Sequence, residues 1–590
     1  MKKPAFRPPL ILVPILLLLL VEIVLAYTNF KPGTYLMGWD NIMPEFNFGV
    51  NVQRSLVSVW QGYRGLGLYD GMSQSANLIH TLILWCLSWL LPQNTLRYAF
   101  HFGMHYLGGV GMFVLLYRIF QNHKKRLSIR FVPSLFYMLN LFTIQMFYTP
   151  LEAFSTHFAS LPWLALGILN YMQIGKRRDL LLLFSILLLT TPAYFVATLI
   201  FPVVILIGAF SLVQIVQSQK KSIEIKRFLV VLGSFFCINA FWLMPFIIGA
   251  LSNGPVIAGA KINQMSSNEI FLRNQVFGNI TDVLLLRGFS LNFTNLLANG
   301  TTGLMMQTWR NAIYSPLGVA FSLTLLLVAV VGIGSILVSY SKHRKRPKTL
   351  PESIGLSALL IFIASFFMLG NDVPLLSEIS NYIRSSIPFF GEAYRFPFTK
   401  FSLLFVFGYS LLFAIGLFEI SERWQKSKRI VTGSFFMVST SIILLALPAF
   451  TGNLFYENLK INLPKQYLDL FSYMSKQKAD QRVALFPAFE YWSWKYYRWG
   501  YRGSGFIWQG IQQPLLHRAF DPWSRGNENF YWELSQAMYR KNKHQLEQVL
   551  QKYQVTYLLQ DTSMISAGHD LQLFNEDSKN LFSESQNIQL

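Results

Sequence analysis

Cysteine is nearly absent: Cys86 and Cys237 are the two in 590 residues, and both lie inside apolar runs. No disulfide framework or thiolate metal site is therefore on offer, and no disulfide partner is implied. Charge is also scarce, at 13% of residues, and acid is the scarcer sign, with 28 Asp and Glu against 50 Lys and Arg. The chain has no Gly-rich phosphate-cradling loop, no zinc-like Cys/His spacing and no Ser-His-Asp elbow, so cytosolic nucleotide chemistry has no support. Internal repeats and low-complexity tracts are missing too.

What fills the chain instead is apolar sequence, 53% of residues, with a positive mean hydropathy, the profile of a polytopic membrane protein. A formal net charge of +22 could suggest a nucleic-acid partner, but the excess sits in short connectors between greasy runs. These are Lys2 to Arg7, Lys124 to Arg130, Lys176 to Arg178, Lys220 to Arg227, Lys342 to Lys348 and Arg423 to Arg429. Short cytoplasmic loops collect Lys and Arg, so the pattern is one of topology and no nucleic acid is needed.

Leu10 to Ala26 reads as the first span, retained rather than cleaved, with its N-terminus cytoplasmic. Ala76 to Leu91 is short, contains His80 and stops at Pro92, and letting it cross would put the next basic connector outside. It is expected to be an interfacial helix within a long outer loop, 27–95. Further spans are expected at 96–120, 131–148, 152–173, 179–191, 193–216, 228–250, 313–340, 352–369, 398–420 and 429–449, about eleven in all. The fold class is thus a polytopic α-helical membrane protein, residues 1–450, followed by an extracytoplasmic domain, 451–590.

That tail is nearly neutral, with fifteen basic and thirteen acidic residues. Gln481 to Phe486 and Gln554 to Gln560 read as strands and His544 to Lys552 as a helix feeding the second, so an α/β or mixed fold is expected. Trp492, Trp494, Trp499, Trp508 and Trp523 give it faces for stacking on sugars or for lying on the membrane, or else they are core.

The stretch from Gly38 to Gly71 gathers Asp40, Glu45, Arg54, Arg64 and Asp70 among Trp39, Trp60, Tyr63 and Tyr69, directly after the first span. A carboxylate there could take a proton from a sugar hydroxyl, and guanidinium groups suit phosphate oxygens. The alternative is a solvated loop anchored by its aromatics. Arg395 and Lys400 stand at the outer mouth of a span, where cations either clamp a phosphate or anchor on headgroups. Glu152 and His157 open another span and rank as weaker substrate contacts.

A basic amino end, one span, a long outer loop opening with Trp39-Asp40-Asn41, an interfacial helix, about ten more spans and an outer domain resemble the GT-C class of membrane glycosyltransferases. Within that class the chain is most similar to bacterial arabinofuranosyltransferase-like and related envelope-glycan proteins. Two stretches carry the likeness further: Ala393-Tyr394-Arg395-Phe396-Pro397-Phe398-Thr399-Lys400-Phe401 opening a late span, and Tyr553-Gln554-Val555-Thr556-Tyr557-Leu558-Leu559 in the tail. The resemblance implies a polyprenyl-phosphate sugar donor in the bilayer and an envelope-glycan or glycolipid acceptor. It implies Asp40 as the base, with Glu45 and Asp70 behind it, and Arg395 and Lys400 at the phosphate, with Arg54 and Arg64 as alternates. Transport of lipid-linked saccharides and a non-enzymatic glycan-binding role are the other classes. The Asp-x-Asp pair of mannosyltransferase branches and a WWD-type motif are absent, so neither the sugar nor a divalent metal is named by the resemblance.

Overall fold

The computed structural model describes residues 8–121, 127–259, 268–296, 302–342, 349–387, 390–488, 494–517, 524–566 and 574–589. Among these, nine helices are long and apolar enough to cross a membrane, from Leu12–Asn29 to Lys428–Asn453. They account for all but two of the expected spans. Of those two, Glu152–Ile174 is a 23-residue helix buried along nearly its whole length. It lies inside the bundle, where Ser, Thr, His and Glu can be carried at a hydropathy that a lipid-facing helix could not tolerate. The other, Arg177–Leu189, has 13 residues, or about 20 Å, short of a 30 Å hydrocarbon core.

Pro397–Arg423 is the central helix, with 94% of its apolar window buried. Pro397 sets its first turn, where the missing N–H costs nothing. Gly332 and Gly416 let its backbone touch that of Pro316–Lys342, since a Cβ at either position would strike a carbonyl of the other helix. Ser128–Leu139 and Leu141–Tyr148 break at Asn140, whose side chain caps the second helix through the Thr143 N–H.

Leu78–Leu87 runs ten residues, about half a bilayer, and the segment after it leaves Trp89 and Leu90 exposed, as an interfacial helix would. In the tail, Arg482–Phe486 pairs in parallel with Val555–Gln560 on one side and Leu515–Leu516 on the other. The helices Arg525–Tyr539 and Lys543–Lys552 make the crossover to Val555–Gln560, so this part is α/β.

The first outer loop does not stand apart from the tail. Tyr35–Leu36 pairs antiparallel with Lys460–Ile461, and Met37, Met43 and Phe46 share one apolar core with Phe471, Val483, Tyr497, Trp508 and Leu515. Burying each such side chain is worth about 1.5–3 kcal/mol, so loop and tail hold each other in place.

Candidate functional site

Asp40 sits in a turn fixed on both sides. Gly38 enters it with φ 144°, and a Cβ there would press on Leu459 and on the Arg502 carbonyl. Trp39 follows with φ 52°, an uncommon conformation for a bulky residue that persists only where its surroundings enforce it. They do so here: the Trp39 N–H donates to the Arg502 carbonyl at 2.6 Å, and the Ser504 N–H donates to the Trp39 carbonyl at 3.0 Å. On the exit side the Asn41 amide donates to the Pro150 carbonyl at 2.7 Å.

Ile42 is then clamped by an ion pair sunk in the bundle. Arg97 and Glu152 pair at 2.5 Å with almost no exposure. Arg97 donates to the Ile42 carbonyl at 3.1 Å, and a Glu152 oxygen accepts the Ile42 N–H at 3.4 Å. His101 adds a ring nitrogen 3.7 Å from Glu152, with its other nitrogen 2.8 Å from the Ser155 hydroxyl. Such a pair is costly to bury and costlier to break. It ties the Asp40 turn to two helices.

The Lys400 ammonium is coupled electrostatically to both Arg395 and the Asp40 carboxylate. Lys400 also donates to the Thr399 hydroxyl at 2.8 Å, and the Asn274 amide holds the Arg395 carbonyl at 2.9 Å. Arg395 in turn lines a shallow groove walled by Phe271, Phe367, Met368, Ile383 and Tyr394, with Arg384 also in its lining. The Arg384 guanidinium stands 4.1 Å over the Phe271 ring. An apolar trough with guanidinium groups, one of them coupled to a lysine that is itself coupled to a half-buried aspartate, is a set that can seat an amphiphile with an anionic head.

The other sequence candidates lie elsewhere. Asp70 is wholly buried and accepts from the Ser58 hydroxyl, the Gln61 amide and the Met72 and Gln74 N–H groups at 2.8–3.1 Å. Burial raises its carboxyl above the usual range while those donors pull it back. Arg54 is buried against the tail, donating to the carbonyls of Trp508 and, at 2.9 Å, of Ile511, with its guanidinium 4.1 Å over Tyr63. Burial lowers its pKa to about 10. Arg64, also buried, lies 4.7 Å over the Trp508 ring. Glu45 is 4% exposed, and burial lifts its carboxyl to about 7 against the opposing pull of Arg97. His157 is buried in the bundle, with neither ring nitrogen hydrogen-bonded among the described residues.

The tail tryptophans separate by position. Trp499 packs on Tyr467, Tyr497 and Tyr501 and donates to Ser563 and the Tyr467 hydroxyl, each at 3.2 Å, while Trp508 is core. Trp494 instead meets Trp39 edge-on at 5.1 Å. Trp492 and Trp523 lie outside the described residues. No three His, Cys, Asp or Glu side chains gather to hold a metal ion among the described residues.

Sequence reasoning did not single out Arg97, His101, Arg384 or Arg502. A signal for two of them was available, since Arg97, His101 and His105 recur every four residues along Leu96–Ile119, which puts them on one face of an otherwise apolar helix.

No protein-family model matches the chain, and no curated protein matches it by sequence. Among solved structures, 95% of the chain superposes on the cryo-EM structure of arabinofuranosyltransferase AftD from Mycobacteria, with a TM-score of 0.56 at 12% identity over 36% of that chain. A mutant form of the same enzyme matches with a TM-score of 0.55 at 12% identity, covering 96% of this chain and 37% of that one. The chain therefore spans little more than a third of the length of the solved chains it resembles. What is shared at this identity is the fold alone, a bundle of membrane-length helices carrying an α/β tail.

Proposed function

We propose that the chain is a membrane glycosyltransferase that moves a sugar from a polyprenyl-phosphate donor to a cell-envelope glycan or glycolipid on the outer face of the cell membrane. The observations that support this reading are the electrostatic coupling of Lys400 to the Asp40 carboxylate and to Arg395, and the apolar groove that the same Arg395 lines. The isoprenoid tail lies against Phe271, Phe367 and Met368, and the phosphate meets Arg395, Lys400 and Arg384. The acceptor hydroxyl attacks the anomeric carbon as its proton passes to Asp40. The bond from that carbon to the phosphate oxygen breaks, and the phosphate leaves with the electron pair, its charge met by the cations. Arg97 and Glu152 act behind Asp40 by fixing its turn, Asp70 by tying the loop to itself, and Arg54 and Arg64 by fixing the loop on the tail, while Glu45 stays buried between loop and bundle.

A second reading, movement of lipid-linked saccharides without transfer, draws on one feature, the buried pair of Glu22 and His105 inside two spans, 2.6 Å apart. The deciding experiment is transfer of labelled sugar from a panel of polyprenyl-phosphate donors in membranes holding wild type or Asp40→Asn. Wild type transfers and the variant falls by at least about a hundredfold with donor still bound. Full activity in Asp40→Asn removes Asp40 as base, and transfer from no donor by wild type removes the enzyme reading. The orientation belongs to the same proposal, which takes Arg177–Leu189 with the following turn Thr191–Phe195 as one crossing: reporters fused after Phe120, Ile174, Gln217, Tyr340 and Ser421 all report cytoplasm, and two external signals would overturn it.

A further inference from the structure

Beside Asp40, three separate parts of the chain meet in a patch of half-exposed rings and polar groups that neither the turn nor the groove uses. The Trp39 ring packs edge-on against Trp494 of the tail at 5.1 Å and tilted against Phe293 of the middle outer loop at 4.9 Å. The Trp39 indole N–H is shielded within this contact and meets no acceptor among the described residues. A shielded indole N–H normally has a partner. Arg502, on the tail hairpin of Lys495–Tyr497 and Arg502–Gly503, donates to the Asn295 side chain at 3.0 Å and lies 5.8 Å over Tyr496. Asn295 belongs to the small hairpin of Thr294–Leu296 and Thr302–Leu304.

We infer that this junction is the platform for the acceptor saccharide, an inference that rests on the transfer reading for the word acceptor but not for the binding itself. A sugar ring has one C–H face and an edge of hydroxyls. The patch supplies indole faces for the first and, for the second, the half-buried Arg502 guanidinium together with the Asn295 side chain it donates to, whose own amide reaches the Tyr456 hydroxyl at 3.5 Å. Its place on Trp39, the residue next to Asp40 in sequence, puts a bound saccharide beside the proposed base. Binding by three segments also gives the fold a reason to lock tail and loop together. The lock itself is main chain: Trp39 pairs with Arg502 and Ser504 through backbone atoms, and Gly503 lies so close to the Trp39 backbone that a Cβ would collide with it. Side-chain substitutions at Trp494 and Arg502 therefore probe recognition while leaving the joint in place.

The test uses the full chain in lipid nanodiscs and saturation-transfer NMR with methyl α-arabinofuranoside, methyl α-mannopyranoside and methyl β-galactopyranoside. Wild type saturates the ring C–H protons of at least one glycoside. Trp494→Ala and Arg502→Gln each weaken that binding fivefold or more, whereas Trp532→Ala, on an exposed helix face, does not. Arg502→Gln leaves every ring in place, so its loss cannot come from collapse of the aromatic packing. Asp40→Asn keeps the binding while losing transfer. Unchanged binding in both junction variants, or no saturation of any glycoside by wild type, overturns the platform. Glycoside binding lost in both variants, together with no transfer by wild type from any donor, keeps the platform and overturns the enzyme reading.

Discussion

Two pairs of basic residues look alike in the sequence and live in opposite surroundings. Arg54 and Arg64 are both buried: Arg54 donates to two main-chain carbonyls and lies over Tyr63, and Arg64 lies over the Trp508 ring. Arg395 and Lys400 are half-buried, Arg395 lining a groove and Lys400 coupled electrostatically to it and to the Asp40 carboxylate. The first pair joins loop to tail, Arg54 through carbonyls and both through ring faces. On the proposed reading the second turns its charge to a donor phosphate. Partner type, not charge, separates a brace from a binding group, because carbonyls and ring faces satisfy a guanidinium without leaving room for phosphate.

The sharpest way to break this contrast is at Trp508, which sits in the shared core and receives both braced arginines. Trp508→Ala is expected to lower the stability of the full chain by about 3–5 kcal/mol, the range for losing a buried aromatic, read as the thermal midpoint in detergent. An unchanged midpoint together with lost glycan binding would turn the brace into a binding surface.

Glu45 tests the same half of the loop by pH. Its folded carboxyl titrates near 7 rather than near 4.5, so the folded chain holds the proton more tightly than the unfolded one. Stability from this group is complete below about pH 4.5 and is lost as pH rises to about 7, by at most about 3 kcal/mol. Thermal midpoints of wild type should fall across that window more than those of Glu45→Gln, which cannot ionise. Parallel curves would show that Glu45 is not held in this buried site.

Much of the fold was legible because it follows from composition along one segment. The spans are apolar runs of bilayer length. The tail strands Arg482–Phe486 and Val555–Gln560 and the helix Lys543–Lys552 fall within a residue or so of their expected ends. What could not be read is which segments meet. Arg54 finds its carbonyl 454 positions away, and Glu152 accepts from Ile42 across 110. No local pattern encodes those distances, so a span residue such as Glu152 and a loop residue such as Arg54 give the same sequence signal whether they touch a ligand or the protein. The parallel order of the tail sheet was hidden for the same reason, since strands of two to six residues do not announce their neighbours. The coupling of Asp40 to Lys400 joins the first loop to a span near the end of the bundle. Each residue was visible alone, and only the packing brings them together.

The smallest expected effect is the one that bears most directly on the contrast. Arg395→Ala removes a charged donor from the groove and should cost about 1.5–3 kcal/mol in holding the donor phosphate, or roughly ten- to a hundredfold in donor affinity, with little change in thermal midpoint. Arg54→Met keeps length and apolar contact while leaving two carbonyls without their donor, so it should lower the midpoint and leave donor affinity where it was. Retention of a labelled polyprenyl-phosphate sugar by purified protein, measured beside the melting curve, separates the two. The contrast fails if the effects exchange places, with Arg54→Met losing donor at full stability and Arg395→Ala merely melting early. It also fails if Arg395→Lys, which keeps the charge but not the planar fork, binds donor as weakly as Arg395→Ala and melts with it, because the group would then be needed for its shape in packing rather than for its charge at a phosphate.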